Sequence, residues 1–303
     1  MKVLLATDGS AYSDHAARFL TRFEWSPEDS ISVFHAIYAI PFRSDQKFYY
    51  SQLQAIKKEL APRIMDAAFE ALKPVRAAVS GDVEEGRPNE CAPETCIMDA
   101  AEKTGAELIV LGARGLKGGG SVFLGSVTRA VAIQGSKPVL VIRPSARPAS
   151  RPFNVLFATD GSDCSLATAQ FLASLPFGKG AEITIMNVHS SSFSDIPERF
   201  SIEVNERIKE FVADHRALEF AESEKIVDQA RTILGKRFGS VHVLSRSGDP
   251  SEEILKAGVE TGADIIAVGS RGLKGIKGLL GSVSRNVLGH TGSSVLIGKT
   301  QKC

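Results

Sequence analysis

The residues best suited to chemistry form a glycine-rich segment in the first half of the chain. Gly112 and Gly115 enclose two residues, and Gly125 and Ser126 follow after nine more. Glycine lets the backbone approach a ligand closely, and Ser126 precedes a helix-like run, so we expect Ser126 to be the N-cap of that helix. The amides and the positive end of the helix would then bind an anion, and a phosphate group is the expected one.

The second half of the chain carries the same segment with one residue fewer. Gly269 and Gly272 enclose two residues, and Gly281 and Ser282 follow after eight. One short glycine motif is a weak indication, since most such loops only turn the chain and cap a helix. Two copies of the glycine motif at matching places in the two halves favour a ligand-binding loop over one that only turns the chain. The shorter loop predicts a second site that is weaker than the first or differently selective.

An aspartate follows the first predicted strand of each half, in the segments Thr7-Asp8 and Thr159-Asp160. In an open parallel sheet, ligands bind beyond the carboxyl ends of the strands, where the strand order reverses. With the order 3-2-1-4-5, this place lies between strands one and four, and Asp8 comes near Gly112. The carboxylate could bind a base amino group, a ribose hydroxyl or a metal beside phosphates. Alternatively, it only caps a helix.

These motifs recur because the chain is a tandem repeat. The segment 3–10 returns at 155–162, and the segment 107–118 returns at 264–275. Fixed-order repetition of this kind indicates two copies of one structural unit. Three prolines between residues 144 and 152 are typical of an extended linker. We therefore predict a first domain at residues 1–145, a linker at 146–152 and a second domain at 153–303.

Each half alternates short apolar runs with helical stretches. The predicted strands of the first half lie at about 2–7, 30–37, 75–80, 107–112 and 138–143. Long helices are predicted at about 50–72, where Pro62 would kink or break the helix, and at about 197–234. Continuous apolar strands are typical of parallel sheets covered on both faces. The prediction is an α/β fold of two repeated doubly wound domains, each a five-stranded parallel sheet of order 3-2-1-4-5 with helices on both faces.

This strand order leaves a short apolar strand at one edge of each sheet, at residues 139–142 and 295–297. Exposed apolar edges promote aggregation and are normally covered. A linker of about nine residues can span roughly 30 Å. We therefore predict that the two edges pair antiparallel within one chain, and a homodimer is a further possibility.

The charge balance argues against two classes of partner. The chain has 36 Lys and Arg against 35 Asp and Glu, and a net charge of +1. This balance gives no electrostatic reason to expect nucleic acid or an anionic membrane as a partner. No apolar run approaches the roughly 20 residues of a membrane span. The expected location is the cytoplasm.

Other chemistry has little support in the sequence. Neither a G-x-x-x-x-G-K-[ST] loop nor a G-x-S-x-G elbow occurs. The six histidines lack ligand spacing, so the metal ligands, if any, stay unknown. Four cysteines are too few and too irregular for a disulfide framework. Cys164 could lie near the second site, but we expect it to be a free thiol without a role there.

Taken together, the motifs resemble those of the universal stress protein family over almost the whole of both halves. The family pattern is G-x-x-G, nine residues, then G-S or G-T. The first half matches it fully, and the second half lacks one residue. The early aspartate of the family corresponds to Asp8 and Asp160. The resemblance implies ATP, with or without Mg²⁺, over the crevice between strands one and four, although not every member of the family binds it.

The resemblance also implies contacts outside the glycine motif. It places the base against Ala36 or Val188 and a contact at Val127 or Val283, after each Gly-Ser pair. Apart from the resemblance, Arg114 and Arg271 lie inside the glycine loops, where they could face phosphate or simply be solvated. The predicted nucleotide-binding residues are Thr7, Asp8, Ala36, Gly112, Arg114, Gly115, Gly125, Ser126, Val127, Thr159, Asp160, Val188, Gly269, Arg271, Gly272, Gly281, Ser282 and Val283.

Three classes of function remain open. The first is an ATP-binding stress-response or signalling protein that acts as a nucleotide-dependent conformational or interaction module. The second is a slow ATPase or nucleotidyl-transferring enzyme of similar fold, and the third is a nucleotide-free interaction scaffold. The residues favour the first class, because binding elements are present while a plausible base, nucleophile or metal cluster is not. We expect weak ATP hydrolysis at most.

Overall fold

The computed structural model describes residues 1–38, 47–85, 92–116, 124–145, 148, 150–189, 206–272 and 280–299. The elements of the first repeat are β1 (Lys2–Ala6), α1 (Ala11–Leu20), β2 (Ser30–Ile37), α2 (Lys47–Leu72), β3 (Ala78–Glu85), α3 (Pro93–Lys103), β4 (Leu108–Gly112), α4 (Ser126–Gln134) and β5 (Val139–Ile142). The elements of the second repeat are β6 (Asn154–Ala158), α5 (Asp163–Ser174), β7 (Glu182–His189), α6 (Glu206–Leu234), β8 (Ser240–Ser247), α7 (Pro250–Glu260), β9 (Ile265–Gly269), α8 (Ser282–His290) and β10 (Ser294–Gly298).

All ten strands belong to one sheet, in the order β3-β2-β1-β4-β5-β10-β9-β6-β7-β8. Neighbouring strands within each repeat are parallel, so each half has the order 3-2-1-4-5, and the predicted α/β fold is confirmed. At the centre of the sheet, β10 runs antiparallel to β5, with Val295 opposite Val141. The two apolar edges are thus hydrogen-bonded to each other.

Strand β3 and helix α2 differ from the sequence prediction. The third strand was expected at about 75–80 but spans Ala78–Glu85, because it lies at the outer edge of the sheet and is almost entirely exposed. An exposed edge strand needs no continuous apolar run, so the apolar signal misplaces it. Pro62 does not end α2, which continues through it to Leu72. The first residues of the long helix predicted from about residue 197 fall within the range 190–205, which lies outside the described part of the chain.

The hydrophobic core has two layers, and both are shared by the repeats. On one face of the sheet, α1, α2, α5 and α6 enclose one buried cluster, and on the other face α3, α4, α7 and α8 enclose a second. Aromatic rings connect the repeats in the first cluster: Phe23 and Phe153 are 4.6 Å apart between ring centroids, and Phe153 and Phe177 are 5.4 Å apart. Burial across this boundary ties the stability of each repeat to that of the other.

Each repeat also supplies a cation to the carboxyl end of a helix in the other. Lys299 Nζ donates to the carbonyl oxygens of Ile133 (3.3 Å) and Gly135 (2.5 Å), at the end of α4. Arg143 Nη2 donates to the carbonyl oxygen of Leu288 (2.9 Å), near the end of α8. Positive charge is favourable at a helix carboxyl end, where carbonyl groups lack intrahelical partners. These reciprocal contacts join the repeats through the same two helices that follow the glycine motifs.

The ammonium group of Lys299 predicts a pH dependence of stability. Burial lowers the pKa of Lys299 from 10.5 to about 8. Between these values the unfolded chain keeps a proton that the folded chain has lost, so the free energy of unfolding rises with pH in this window. The Lys299→Met variant cannot titrate there. We expect the urea midpoint of the unmodified protein, relative to that of the variant, to increase from pH 8 to 10.5 and to stay constant from pH 6 to 7. A difference that is constant from pH 6 to 10.5 would contradict this assignment.

Candidate functional site

A cavity of about 1050 Å³ opens at the carboxyl ends of β1, β2 and β4 in the first repeat. Helices α2, α3 and α4 supply its remaining walls. Because parallel strands end at the same side of the sheet, residues a hundred positions apart in sequence meet there. The residues of the first repeat that were predicted from sequence all line this cavity: Thr7, Asp8, Ala36, Gly112, Arg114, Gly115, Gly125, Ser126 and Val127.

Asp8 connects the turn after β1 to the glycine motif. Its Oδ1 accepts a hydrogen bond from Ser10 N (3.0 Å), and its Oδ2 accepts one from Leu116 N (3.1 Å). A Cβ atom at Gly115 would lie only 2.3 Å from Asp8 Oδ2. A side chain at position 115 would therefore have to displace the carboxylate of Asp8 from its hydrogen bond with Leu116 N.

Gly112 is required for packing against α1. A Cβ atom at this position would lie 2.7 Å from both the carbonyl carbon and the carbonyl oxygen of Tyr12. Thr128 fixes the same point from the other side, since its Oγ1 donates to the carbonyl oxygen of Gly112 (2.8 Å). The end of β4 is thus held between α1 and α4. The sequence predicted that Gly112 approaches a ligand closely, whereas the close approach that the structure shows is to the backbone of α1.

The N-cap of the helix after the glycine motif lies one residue earlier than predicted. Gly125, in extended conformation, is the N-cap of α4, and its carbonyl oxygen accepts the first helical hydrogen bond from Arg129 N (2.9 Å). Ser126 is the first helical residue, so its predicted role as N-cap was wrong. Gly125 has no side chain with which to cap this helix start. Among the described residues, no acceptor is found for the first-turn amides, and they are available to an anion.

The arginines of the glycine loops are buried, which excludes the alternative that they are solvated loop residues. Arg114 is 6% exposed and Arg271 is 7% exposed. The guanidinium carbon of Arg114 lies 5.6 Å from the ring centroid of Tyr12, within cation–π distance. Burial and the nearby charge of Arg114 lower the pKa of Arg143, the residue after β5. Two buried arginines therefore lie near each other beneath the first glycine motif.

Thr7 has a structural role in the turn that leads to Asp8. Its Oγ1 donates to Ser13 Oγ (3.1 Å) and accepts from Gly9 N (3.3 Å), and its carbonyl oxygen accepts from His35 Nδ1 (2.8 Å). Gly9 has a φ of +74°, a conformation that favours glycine. The sequence analysis did not assign a role to Gly9, although its place between Asp8 and a helix start was a usable turn signal.

The sequence analysis missed the wall that α2 contributes to the cavity. The sequence predicted this helix but not its place at the crevice, part of which is lined by an apolar stripe on one face of the helix. One cation interrupts the stripe: Lys57 Nζ donates to the carbonyl oxygen of Tyr38 (2.8 Å), which follows β2. The four α2 residues that line the cavity are Leu53, Lys57, Leu60 and Ile64.

The second repeat reproduces the anchoring of the aspartate. Asp160 Oδ1 accepts hydrogen bonds from Ser162 N (3.1 Å) and Ser162 Oγ (2.6 Å). A Cβ atom at Gly272 would lie 2.5 Å from Asp160 Oδ2. Thr159 repeats the turn contacts of Thr7, because its Oγ1 accepts from Gly161 N (3.2 Å). In both motifs, a side chain at the second glycine would therefore have to displace the carboxylate of the aspartate that follows the first strand.

The helix after the second motif is anchored like α4. Gly281 is the N-cap of α8, and Ser282 is its first helical residue. Ser284 Oγ donates to the carbonyl oxygen of Gly269 (2.6 Å), which repeats the contact of Thr128 with Gly112. The residues 117–123 and 273–279 between these anchors lie outside the described part of the chain. The stretch by which the second motif is one residue shorter than the first therefore lies outside it too. The half-buried Val188 and Val283 pack against the second core cluster.

The structure overturns the prediction for the cysteines. Cys164 is in a disulfide bond, as is Cys96, so the expectation of a free thiol was wrong. Pairing depends on distance in the folded chain, which the spacing of four scattered cysteines does not reveal.

In the described ranges, no group of three or more His, Cys, Asp or Glu side chains is placed to hold a metal ion. The helices of the described residues include none with the length and apolarity that crossing a bilayer requires.

Comparisons with known proteins agree on one family. A sequence model of the universal stress protein family matches residues 1–143 and 153–299. The chain is 31% identical to the universal stress protein YxiE of Bacillus subtilis over 153 residues, which cover 47% of this chain and 96% of that protein. It is 24% identical to a universal stress protein of Mycolicibacterium smegmatis over 301 residues, which cover 97% of this chain and 96% of that protein. The crystal structure of a universal stress protein from Archaeoglobus fulgidus has the same fold, with a TM-score of 0.64, 23% identity and 98% coverage of both chains.

Proposed function

Because the chain belongs to the universal stress protein family, we propose that it binds ATP in the crevice of the first repeat and acts as a nucleotide-dependent conformational or interaction module in a stress response. One observation carries this proposal. The cavity of about 1050 Å³ is lined by every first-repeat residue that the sequence predicted, from three separate segments of the chain. Its volume slightly exceeds the roughly 300–1,000 Å³ typical of small-molecule sites, so the cavity has room for a nucleotide.

The electrostatics of the crevice support an anionic ligand at one end. The first-turn amides of α4 (residues 126–128) point their partial positive charge at the cavity, and Arg114 adds a buried cation beside it. These groups would hold the phosphates of ATP. Asp8 would accept from a ribose hydroxyl, and the base would lie against Ala36 at the end of β2. Conformational output would pass from the phosphate end into α4, whose other end is held by Lys299 of the second repeat.

ATP binding to the unmodified chain tests the proposal directly. We expect calorimetry to show saturable binding, and we expect mass spectrometry of the supernatant from heat-denatured purified protein to detect an adenine nucleotide. Binding energy should come mainly from the preformed amides and the enclosed base. No heat of binding at millimolar ATP, together with no released nucleotide, would overturn the proposal and favour a nucleotide-free scaffold. Stoichiometric ADP release with Mg-ATP would instead favour a slow ATPase.

A further inference from the structure

The apolar wall of the first crevice follows α2 for about three helical turns. Four residues of this helix face the cavity as one stripe, from Leu53 to Ile64. At about 1.5 Å per residue, the stripe is roughly 16 Å long. Its inner end is Ile64, because a Cβ atom at Gly9, in the turn after β1, would lie 2.9 Å from Ile64 Cγ1. Met65 and Ala68 then enter the first core cluster, so the stripe extends from this turn beyond the carboxyl end of β1.

Apolar side chains of other elements complete the wall. Tyr38 follows β2, Ile97 lies on α3 and Leu116 follows the second glycine of the motif, and all three line the cavity. The ammonium group of Lys57 donates to the carbonyl oxygen of Tyr38, so the methylene chain of Lys57 is the part that continues the wall. Leu60 is 43% exposed and Leu116 is 74% exposed. The packing of the core therefore leaves large apolar side chains unburied around the cavity, as is typical of a binding surface.

The second repeat shows that the wall is not needed to pack the helix. On α6, Ile226 has the place of Ile64, since a Cβ atom at the turn glycine Gly161 would lie 2.9 Å from Ile226 Cγ1. Both helices bury the residues that follow, in the pairs Met65 and Val227, Ala68 and Ala230, and Leu72 and Leu234. Four residues before Ile226, however, α6 carries the exposed Glu222 where α2 carries Leu60. An apolar residue at this position therefore serves the cavity and not the core.

We propose that the first crevice also binds a single-chain lipid phosphate, with its phosphate at the amino end of α4 and its alkyl chain along the α2 stripe. The first turn of α4 and the buried Arg114 line the same cavity as the stripe, so an anion site and an apolar wall are continuous. A purine at Ala36 would cover only part of this wall, and the volume of about 1050 Å³ leaves room for a chain. Because the lipid phosphate would use the phosphate site proposed for ATP, the two ligands exclude each other.

A series of monoalkyl phosphates tests the proposal by calorimetry. From butyl to hexyl to octyl phosphate, we expect the affinity to rise by about tenfold for each pair of methylene groups that leaves water. Octyl phosphate should also displace ATP. Octanol lacks the anion and should bind at least about tenfold more weakly than octyl phosphate. Octanoate distinguishes a fatty acid from a lipid phosphate as the source of the chain, and binding of octanoate as tight as that of octyl phosphate would overturn the assignment to a phosphate.

Two substitutions on α2 locate the chain. Leu60→Gln puts a polar side chain of similar length into the wall, and it should lower the ratio of octyl to butyl phosphate affinity by about fivefold or more. Ile56→Gln is the matched control on the same helix. Ile56 is 53% exposed and is not among the described residues that line the cavity, so this variant should keep the ratio within about twofold.

The possible failures of this inference and of the proposed function are distinguishable. If ATP binds but affinity does not rise with chain length, the wall serves the base alone and the inference is wrong. A rise that Leu60→Gln leaves unchanged would place the chain elsewhere and would also overturn it. If the alkyl phosphates bind as expected and ATP does not bind at all, the proposed function fails while the lipid phosphate site stands.

Discussion

Replacing Gly115 by valine is expected to abolish ATP binding to the first crevice, with a loss of affinity of at least about a hundredfold. The ideal Cβ position at residue 115 is 2.3 Å from Asp8 Oδ2, far inside van der Waals contact. The valine can be accommodated only if the carboxylate moves, which breaks its hydrogen bond with Leu116 N and displaces the glycine motif. A loss of this size corresponds to about 2.7 kcal/mol of binding free energy.

Calorimetry with ATP measures this effect, and two variants serve as references. Gly292→Ala is the control for glycine replacement, since a Cβ atom there would meet nothing within 4 Å, and it should bind ATP normally. Gly272→Val makes the equivalent clash with Asp160 in the second repeat, so its effect should be confined to the second crevice. If Gly115→Val keeps the affinity of the unmodified chain while its thermal stability is unchanged, the site has been assigned to the wrong residues.

The second large effect is expected at the strand pairing between the repeats. Val141 on β5 lies opposite Val295 on β10, and both are fully buried. Val141→Asp would place a carboxylate in the apolar centre of the ten-stranded sheet, where an unpaired charge costs several kcal/mol. We expect the free energy of unfolding to fall by roughly 4 kcal/mol or more and apolar surface to become exposed to a hydrophobic dye.

Val79→Asp is the matched control for this substitution. Val79 lies on the outer edge strand β3 and is 37% exposed, so the same chemical change should cost less than about 1 kcal/mol there. Small-angle scattering gives the complementary measurement in solution. The unmodified protein should scatter as one compact particle, and two independently tumbling bodies would refute the pairing of the repeats.

The continuous sheet has a consequence for how the crevices communicate. Each glycine motif leads into a helix, α4 or α8, whose carboxyl end receives a cation from the other repeat. An anion bound at the amino end of α4 would therefore act on an element that the second repeat already holds. This arrangement gives the proposed module a physical route between its sites, because both ends of one rigid helix carry the contacts.

Several features follow from local sequence patterns. The repeat is visible because two blocks recur in the same order, and the strands β1, β4 and β5 are visible as continuous apolar runs. Alternation of strand and helix then indicates a doubly wound parallel sheet, since crossovers between parallel strands are right-handed. Asp8 and the first glycine motif could be assigned to one end of the sheet on the same grounds. Their role in binding stays a prediction.

Other features depend on residues that meet only in the folded chain. The wall formed by Lys57 and Leu60, the contact of Asp8 with Gly115 and the reciprocal cations Arg143 and Lys299 leave no local pattern, because their partners lie far away in sequence. The sequence misplaces an exposed edge strand such as β3 for a related reason. Most of its residues face solvent, so they do not form the apolar pattern of a strand that packs against a core. Periodicity reports which face of an element is buried, whereas only the tertiary structure decides what that face is buried against.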